Sequence, residues 1–256
     1  MPIKSVTSRD NPEFRHLLSL ADEAKARRET GQTLLDGWHL IEAALQAGCL
    51  PTKLIAVEGQ SWPSEMHGVL GEIPQLIVSG ALMRALSPVK SPTGLIAVID
   101  IPQPVPQASP FAILLEDIQD PGNLGALLRT AAAAGVDAAY LSAGCADAWS
   151  PKALRGGQGA HFQLAIHERM ALTEVARAFA GSTYAATLGA ETSLYQLDLR
   201  QDVAFAFGNE GAGLSAALRE ACRPFSVPMP GRVESLNVAA AAAICLFERV
   251  RQRQSS

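Results

Sequence analysis

Three loops that follow apolar segments combine residue types that could bind a ligand or move a proton. The first loop begins at Glu116, carries Asn123 and, six residues later, Arg129. Its proline–glycine pair predicts a turn, and Asn123 is predicted to cap the helix that follows. A guanidinium near a helix start suits a phosphate or a carboxylate, although Arg129 could equally be a solvated surface residue.

The second loop follows the apolar segment that ends at Phe207. Glycines at 208, 211 and 213 let the backbone approach a ligand closely, although a flexible turn would use the same residues. Their order, Gly-x-x-Gly-x-Gly, is not the dinucleotide fingerprint, and no Walker lysine follows. This argues against a nucleotide-dependent oxidoreductase. Glu210 could accept a hydrogen bond in the site or be exposed to solvent.

The third loop, Val227-Pro-Met-Pro-Gly231, leads to Ser235 and Asn237 at the start of an alanine-rich segment. Its prolines favour an extended path. Ser235 is predicted to cap the following helix, which leaves Asn237 without a capping role. A weaker feature is glycine after a strand at Leu188-Gly189, which alone is a common turn.

Composition excludes several classes of protein. The chain has 256 residues, is 48% hydrophobic and has a net charge of −4, so a general polyanion-binding surface is not indicated. No apolar run reaches about 18 residues, so no transmembrane helix is expected. The N-terminus lacks an apolar signal region, so a secretory signal is not expected. The histidines and the four scattered cysteines show no metal or disulfide spacing, which predicts no metal site and free thiols in a reducing cytoplasm.

The proline-rich segment 101–110 predicts a linker between two α/β domains, 1–100 and 111–256. In the first domain, Asn11 is predicted to cap a helix that starts at Pro12. Further strands are predicted at 33–37, 54–57, 76–79 and 94–99, and helices at 38–47 and 81–86. This alternation on a small scale predicts a compact α/β domain.

The second domain alternates more clearly. Strands are predicted at 111–116, 138–142, 183–188 and 203–208, with a short extended segment at 225–229, and helices at 123–134, 172–180, 215–222 and 235–251. Near-continuous apolar strands between helices predict a parallel sheet covered on both faces. Ligands in such sheets lie beyond the carboxyl ends of the strands, where the three loops are.

Together the loops resemble the three motifs of the SpoU/TrmH family of RNA 2′-O-methyltransferases, in the SPOUT superfamily. The matching stretches are Asp117-x-Gln-Asp-Pro-Gly-Asn-Leu-Gly-x-x-x-Arg129, Phe207-Gly-Asn-Glu-Gly-x-Gly213, and Val227-Pro-Met with Ser235-Leu-Asn-Val238. They occur in the family's order, and the resemblance covers about residues 111–251. It implies an S-adenosylmethionine cofactor, a deep C-terminal trefoil knot, which is a rare exception to unknotted chains, and a homodimer whose two sites each draw on both chains.

The resemblance also implies the site residues. The implied catalytic residues are Asn123, Arg129, Glu210, Ser235 and Asn237. The implied cofactor-binding residues are Leu188, Gly189, Gly208, Asn209, Gly211, Val227, Met229, Gly231 and Leu236.

The first 100 residues resemble the family's small RNA substrate-binding domain, which is similar to ribosomal proteins of the L30e type. The resemblance lies in Ser8-Arg-Asp-Asn-Pro12 and Leu34-Leu-Asp-Gly-Trp38. Asp36 stands where family members often have Glu, and Arg15 where Lys is frequent. This domain favours ribosomal RNA as the substrate; a transfer RNA substrate and a non-catalytic RNA-binding protein on the same fold are the alternatives.

A ribose hydroxyl is a poor nucleophile, so methyl transfer requires alignment and removal of a proton. The family proposal makes Arg129 the base. A guanidinium holds its proton until the pH exceeds about 12 and has no acceptor while charged. We therefore favour the hypothesis that Arg129 contacts the 2′-oxygen and an adjacent phosphate, which assists loss of the proton.

Overall fold

The computed structural model describes residues 3–66, 68, 72–87, 89, 92–104, 109–233 and 235–254. The first part of the chain alternates strands and helices, as predicted. Its elements are β1 (Ile3–Val6), α1 (Pro12–Asp22), α2 (Ala24–Thr30), β2 (Gln32–Asp36), α3 (Trp38–Gln46), β3 (Lys53–Val57), β4 (Gln75–Val78), α4 (Gly80–Leu86) and β5 (Leu95–Asp100).

These strands form one five-stranded sheet in the order β1-β4-β3-β5-β2. β1, β3 and β4 run parallel, whereas β5 is antiparallel to both of its neighbours. Asn11 caps α1 by accepting hydrogen bonds from the backbone N–H groups of Glu13 and Phe14, which confirms the predicted start of that helix. Phe14 and Leu17 are buried on the face of α1 that packs against the core.

The second part of the chain continues the alternation. Its elements are β6 (Phe111–Leu115), α5 (Pro121–Ala133), β7 (Ala138–Leu141), α6 (Pro151–Gly157), β8 (Ala165–His167), α7 (Leu172–Ala178), β9 (Ser182–Ala186), β10 (Val203–Phe207), α8 (Ala216–Ala221), β11 (Arg223–Phe225) and α9 (Val238–Gln254).

These strands form a six-stranded, fully parallel sheet in the order β11-β9-β10-β6-β7-β8, which confirms the predicted parallel α/β architecture. β10 shows how the sheet is covered on both faces. Ala204 and Ala206 belong to a cluster with residues of α7 and α8, and their small side chains let those helices lie close. On the other face, Phe205 packs edge-on against Phe225, with ring centroids 5.7 Å apart.

By its contacts the chain forms two compact units, residues 1–102 with 149–162, and residues 103–148 with 163–256. The segment 149–162, which includes α6, thus packs in the first unit. There the Thr33 hydroxyl donates to the Trp149 carbonyl at 2.6 Å, and the Trp149 ring lies 5.4 Å from that of His161. Of the predicted linker, residues 105–108 lie outside the described part, and the domain limits predicted above stay predictions.

Two helix starts differ from the sequence prediction. α5 begins at Pro121, and its cap is Asp120, whose carboxylate accepts from the Asn123 backbone N–H at 2.9 Å. Because proline suits the first helical position, the helix starts two residues early and the Asn123 side chain is released from capping. α9 begins at Val238 and is capped by Asn237, not by Ser235, since the Asn237 amide oxygen accepts from the N–H groups at 239 and 240.

Within the described ranges, no helix is both long and apolar enough to cross a membrane. The four cysteines are free thiols, and two of them, Cys222 and Cys245, are buried. Burial raises the pKa of the Cys245 thiol to about 12, and burial together with the nearby Glu116 carboxylate raises that of Cys222 to about 11.

The buried thiols provide a test of the packing of the second unit. Only a thiolate reacts with iodoacetamide. Because thiols with such raised pKa values are at most about one part in a thousand ionised at pH 8, we expect Cys222 and Cys245 to resist alkylation. Peptide mass spectrometry of labelled protein measures this, with all four cysteines labelled in guanidinium chloride as the control. Rapid native labelling of Cys245 would contradict the packing described for α9.

Candidate functional site

The carboxyl ends of β9, β10 and β11 lie at the same edge of the parallel sheet, so the segments that follow them converge. Together with the start of α9 they surround a cavity of about 370 Å³. The described residues that line it are Ala186, Thr187, Leu188, Gly189, Phe207, Gly208, Asn209, Glu210, Gly211, Ala212, Gly213, Leu214, Arg219, Ser226, Val227, Met229, Ser235, Leu236, Val238 and Ala241.

The cavity has the character of a small-molecule site. Its volume is within the usual range, and its wall consists mainly of apolar side chains and glycine backbone, with few polar groups. Gly189 and Gly213 have φ angles of +73° and +68°, a conformation that favours glycine. A Cβ at either position would meet nothing within 4 Å, so these glycines face open space that a ligand could fill.

The glycine-rich loop after β10 folds back on itself. The Gly213 N–H donates to the Asn209 carbonyl at 2.8 Å, and a Cβ placed on Gly208 would lie 2.3 Å from the Gly213 carbonyl carbon. No side chain fits there unless the backbone moves. Gly208 is therefore required by a close backbone approach within the loop.

The side chain of Asn209 joins this loop to the loop after β6. Its oxygen accepts from the backbone N–H groups of Gly211 and Ala212 at 2.8 and 3.0 Å, and its nitrogen donates to the Asp117 carbonyl at 2.9 Å. Asp117 has a φ of +55°, and its carboxylate accepts from the Ser142 hydroxyl at 2.6 Å, which holds this uncommon conformation. Asn209 thus positions two loops at once.

A second link between the same loops runs from Glu116 to Ser215. The two Glu116 carboxylate oxygens accept from the Ser215 backbone N–H at 2.6 Å and from its hydroxyl at 2.8 Å. Ser215 in turn caps α8 by accepting from the Leu218 N–H. The start of α8 is therefore fixed to the end of β6.

A chain of three polar side chains connects the three loops. Asn123 donates to the Glu210 carboxylate at 2.7 Å, and Asn237 donates to the Asn123 amide oxygen at 3.3 Å. Asn123 is 87 positions from Glu210 and 114 positions from Asn237 in the sequence. Since Glu210 also lines the cavity wall, the three side chains meet beside the cavity. The structure therefore brings together three of the five predicted catalytic residues in one network.

The other two predicted catalytic residues are placed differently. Ser235 lines the cavity and is exposed, whereas Arg129 is exposed on α5 and does not line the cavity. Among the described residues, Arg129 has no hydrogen-bond or ion-pair partner, so its guanidinium is available to a ligand or another chain. No three described His, Cys, Asp or Glu residues are arranged to hold a metal ion.

The predicted cofactor-binding residues all line the cavity except Gly231, which is exposed and outside it. Gly213, although it belongs to the same glycine pattern, was not among the predicted cofactor-binding residues, and neither were Thr187 and Ser226, which directly adjoin predicted residues. Sequence reasoning also missed Arg219, a helix residue for which the sequence pattern offers no signal beyond that of a solvated surface arginine.

Comparison with known proteins identifies the family to which the chain belongs. Residues 110–247 match the SpoU rRNA Methylase family, and residues 11–97 match the MRM3-like substrate binding domain. The chain is 33% identical to the Bacillus subtilis 23S rRNA (guanosine(2553)-2′-O)-methyltransferase RlmP over 226 residues, which are 87% of this chain and 90% of the relative.

Solved structures agree. A crystal structure of an RNA 2′-O ribose methyltransferase is 34% identical, has a TM-score of 0.83, and the match covers 98% of this chain and 99% of that one. The SpoU methyltransferase AviRb from Streptomyces viridochromogenes, in complex with the cofactor AdoMet, is 27% identical with a TM-score of 0.84, over 96% of this chain and 100% of AviRb. The chain belongs to the SpoU rRNA methylase family and is an RNA 2′-O-methyltransferase.

Proposed function

We propose that this protein transfers the methyl group of S-adenosylmethionine to a ribose 2′-oxygen of ribosomal RNA. The observation that carries the proposal is the cavity at the sheet edge, which is joined through Glu210 to the Asn123–Asn237 pair. Ribosomal RNA is favoured because the matched family and RlmP are named for it. Transfer RNA is the alternative that the assay below separates.

The cavity fits S-adenosylmethionine. Its apolar residues, such as Leu188 and Met229, suit an adenine ring, and the backbone groups beside Gly189 and Gly208 suit the polar edges of the ligand. The bound cofactor supplies a methyl group that its sulfonium already activates. The protein therefore has to align the ribose hydroxyl with that methyl group and provide a path for the proton.

The polar residues divide these tasks. Asn123 and Asn237 are tied to Glu210, so they hold a fixed polar surface beside the cavity to which the ribose can hydrogen-bond. Ser235, exposed at the cavity wall, adds a hydroxyl. The Arg129 guanidinium contacts the 2′-oxygen and the neighbouring phosphate, which accepts or assists transfer of the proton.

The position of Arg129 favours a homodimer. It lies outside the cavity of its own chain and has no partner among the described residues. In the proposed reaction, however, its guanidinium must contact a ribose that is bound beside a cavity. In a two-fold symmetric dimer, each chain can supply its Arg129 to the cavity of the other chain, so both sites are completed in the same way. We therefore propose that Arg129 acts in the cavity of the partner subunit.

Two further features belong to the proposal. Described residues of the segment after β11 line the same cavity as the loops that follow β9 and β10, and α9 then packs on α5, which supports the trefoil knot that the resemblance implies. The first unit, with its match to a substrate binding domain, is proposed as the RNA-binding, L30e-like domain. The cytoplasmic location stays a prediction.

The proposed reaction is tested with labelled S-adenosylmethionine and RNA from cells that lack this gene. We expect label in ribosomal RNA, recovered as an alkali-resistant 2′-O-methylated dinucleotide. Arg129→Ala and Arg129→Lys should each abolish turnover, because neither keeps the guanidinium fork, while both retain cofactor binding. Label in transfer RNA alone would contradict the substrate, and a normal rate in either variant would contradict the role of Arg129.

The glycine loop is tested by two matched glycine-to-alanine changes. Gly208→Ala should lower affinity for S-adenosylhomocysteine at least about tenfold, because the added Cβ meets the Gly213 backbone and opens the loop. Gly231→Ala should change it less than about twofold, since a Cβ there meets nothing within 4 Å. Titration calorimetry measures both. A large loss for Gly231→Ala would instead support the cofactor role predicted for that residue from sequence.

The dimer proposal is tested by jointly refolding Arg129→Ala with Gly208→Ala and assaying at a cofactor concentration well below the wild-type Kd, where the weakened affinity leaves Gly208→Ala with about a tenth of the wild-type rate or less. If Arg129 serves the partner's cavity, each heterodimer has one complete site, and the mixture should regain about a quarter of wild-type activity. Each variant refolded alone is the control. A monomer on size-exclusion chromatography, or a mixture no more active than its components, would contradict this arrangement.

A further inference from the structure

Arg219 is the only cation among the described residues that line the cavity, and Glu210 is the only acid. Arg219 lies on α8, is exposed, and has no hydrogen-bond or ion-pair partner for its side chain among the described residues. A guanidinium that faces a ligand cavity without a protein carboxylate is available to an anionic group of the ligand.

The two charged side chains of the cavity wall have different surroundings. α8 begins next to Ser215, which Glu116 holds at the end of β6, and its body packs against β9 and β11. Glu210 is bonded to Asn123 on α5, the helix that follows β6, on the other side of β10. Asn123 thus engages Glu210 in the polar network, whereas Arg219 takes no part in that network, so Arg219 is available to a different part of the ligand.

S-adenosylmethionine has a single anionic group, the carboxylate of its amino-acid part. We propose that Arg219 binds this carboxylate and so fixes the direction in which the cofactor enters the cavity. The inference rests on the proposed function, because it takes S-adenosylmethionine as the ligand. The two oxygens of a carboxylate match two parallel N–H groups of a guanidinium. A carboxylate that left water for the cavity without such a donor would lose its hydration without compensation.

Two ligands that differ in the amino-acid part provide the test. S-adenosylhomocysteine carries the carboxylate, whereas 5′-methylthioadenosine has the same adenosine and thioether but lacks the amino-acid tail. By titration calorimetry, Arg219→Ala should lower affinity for S-adenosylhomocysteine about tenfold and for 5′-methylthioadenosine less than about twofold. Arg219→Lys, which keeps the charge but not the fork, should give a loss between these values.

A matched control is Arg177→Ala, because Arg177 is an exposed arginine on the neighbouring helix α7 that does not line the cavity. It should leave both affinities unchanged. Circular dichroism and thermal unfolding of every variant verify that the fold is kept, which we expect because Ser215, and not Arg219, caps α8.

The outcomes separate the inference from the proposed function. Equal losses for the two ligands, or no loss for S-adenosylhomocysteine, would overturn the role of Arg219. Unchanged ligand binding with weakened binding of RNA would also overturn it, and would assign Arg219 to a phosphate of the substrate. If the wild-type protein bound neither ligand, the proposed function itself would fail, and the inference with it.

Discussion

The close approach of Gly208 to Gly213 is the constraint on which the rest of the site depends. β10 must end in a loop that returns immediately, because only then do the backbone groups after β10 face those after β9 and β11. The turn is closed by Asn209, whose side-chain oxygen accepts from two N–H groups of the same loop. Its side-chain nitrogen donates to the Asp117 carbonyl in the loop after β6. Glycine and asparagine here determine the shape of the cavity.

The start of α9 determines the orientation of the polar chain beside the cavity. Backbone N–H groups fix the Asn237 oxygen as an acceptor, so its nitrogen is left to donate to Asn123. The Asn123 oxygen is thereby an acceptor, and its nitrogen donates to Glu210. Each side-chain amide has one donor end and one acceptor end. The capping of α9 by Asn237 therefore determines the direction of both hydrogen bonds in the network, from Asn237 to Asn123 and from Asn123 to the Glu210 carboxylate.

Sequence patterns predicted the elements and the loops because strand and helix periodicity are local. The strands β6, β7, β9 and β10, and the site at their carboxyl ends, follow from apolar runs and glycine-rich turns. The pattern could not show that Pro121 starts α5, or that Asn237 caps α9 in place of Ser235, since several residues in each loop are good caps. Nor could it show Arg219, whose position depends on how α8 packs.

The distribution of charge explains how an acidic protein can leave Arg129 and Arg219 without partners among the residues that the structure describes. With a net charge of −4, the chain attracts RNA only through local cations. Exposed ion pairs contribute at most about 1 kcal/mol, so leaving Arg129 and Arg219 without protein partners costs little stability. Elsewhere in the same unit Arg200 is paired with Asp198 at 2.8 Å. A guanidinium held by a protein carboxylate would have to break that pair before it could bind a phosphate or a cofactor, a cost that Arg219 in the cavity wall and the exposed Arg129 on α5 avoid.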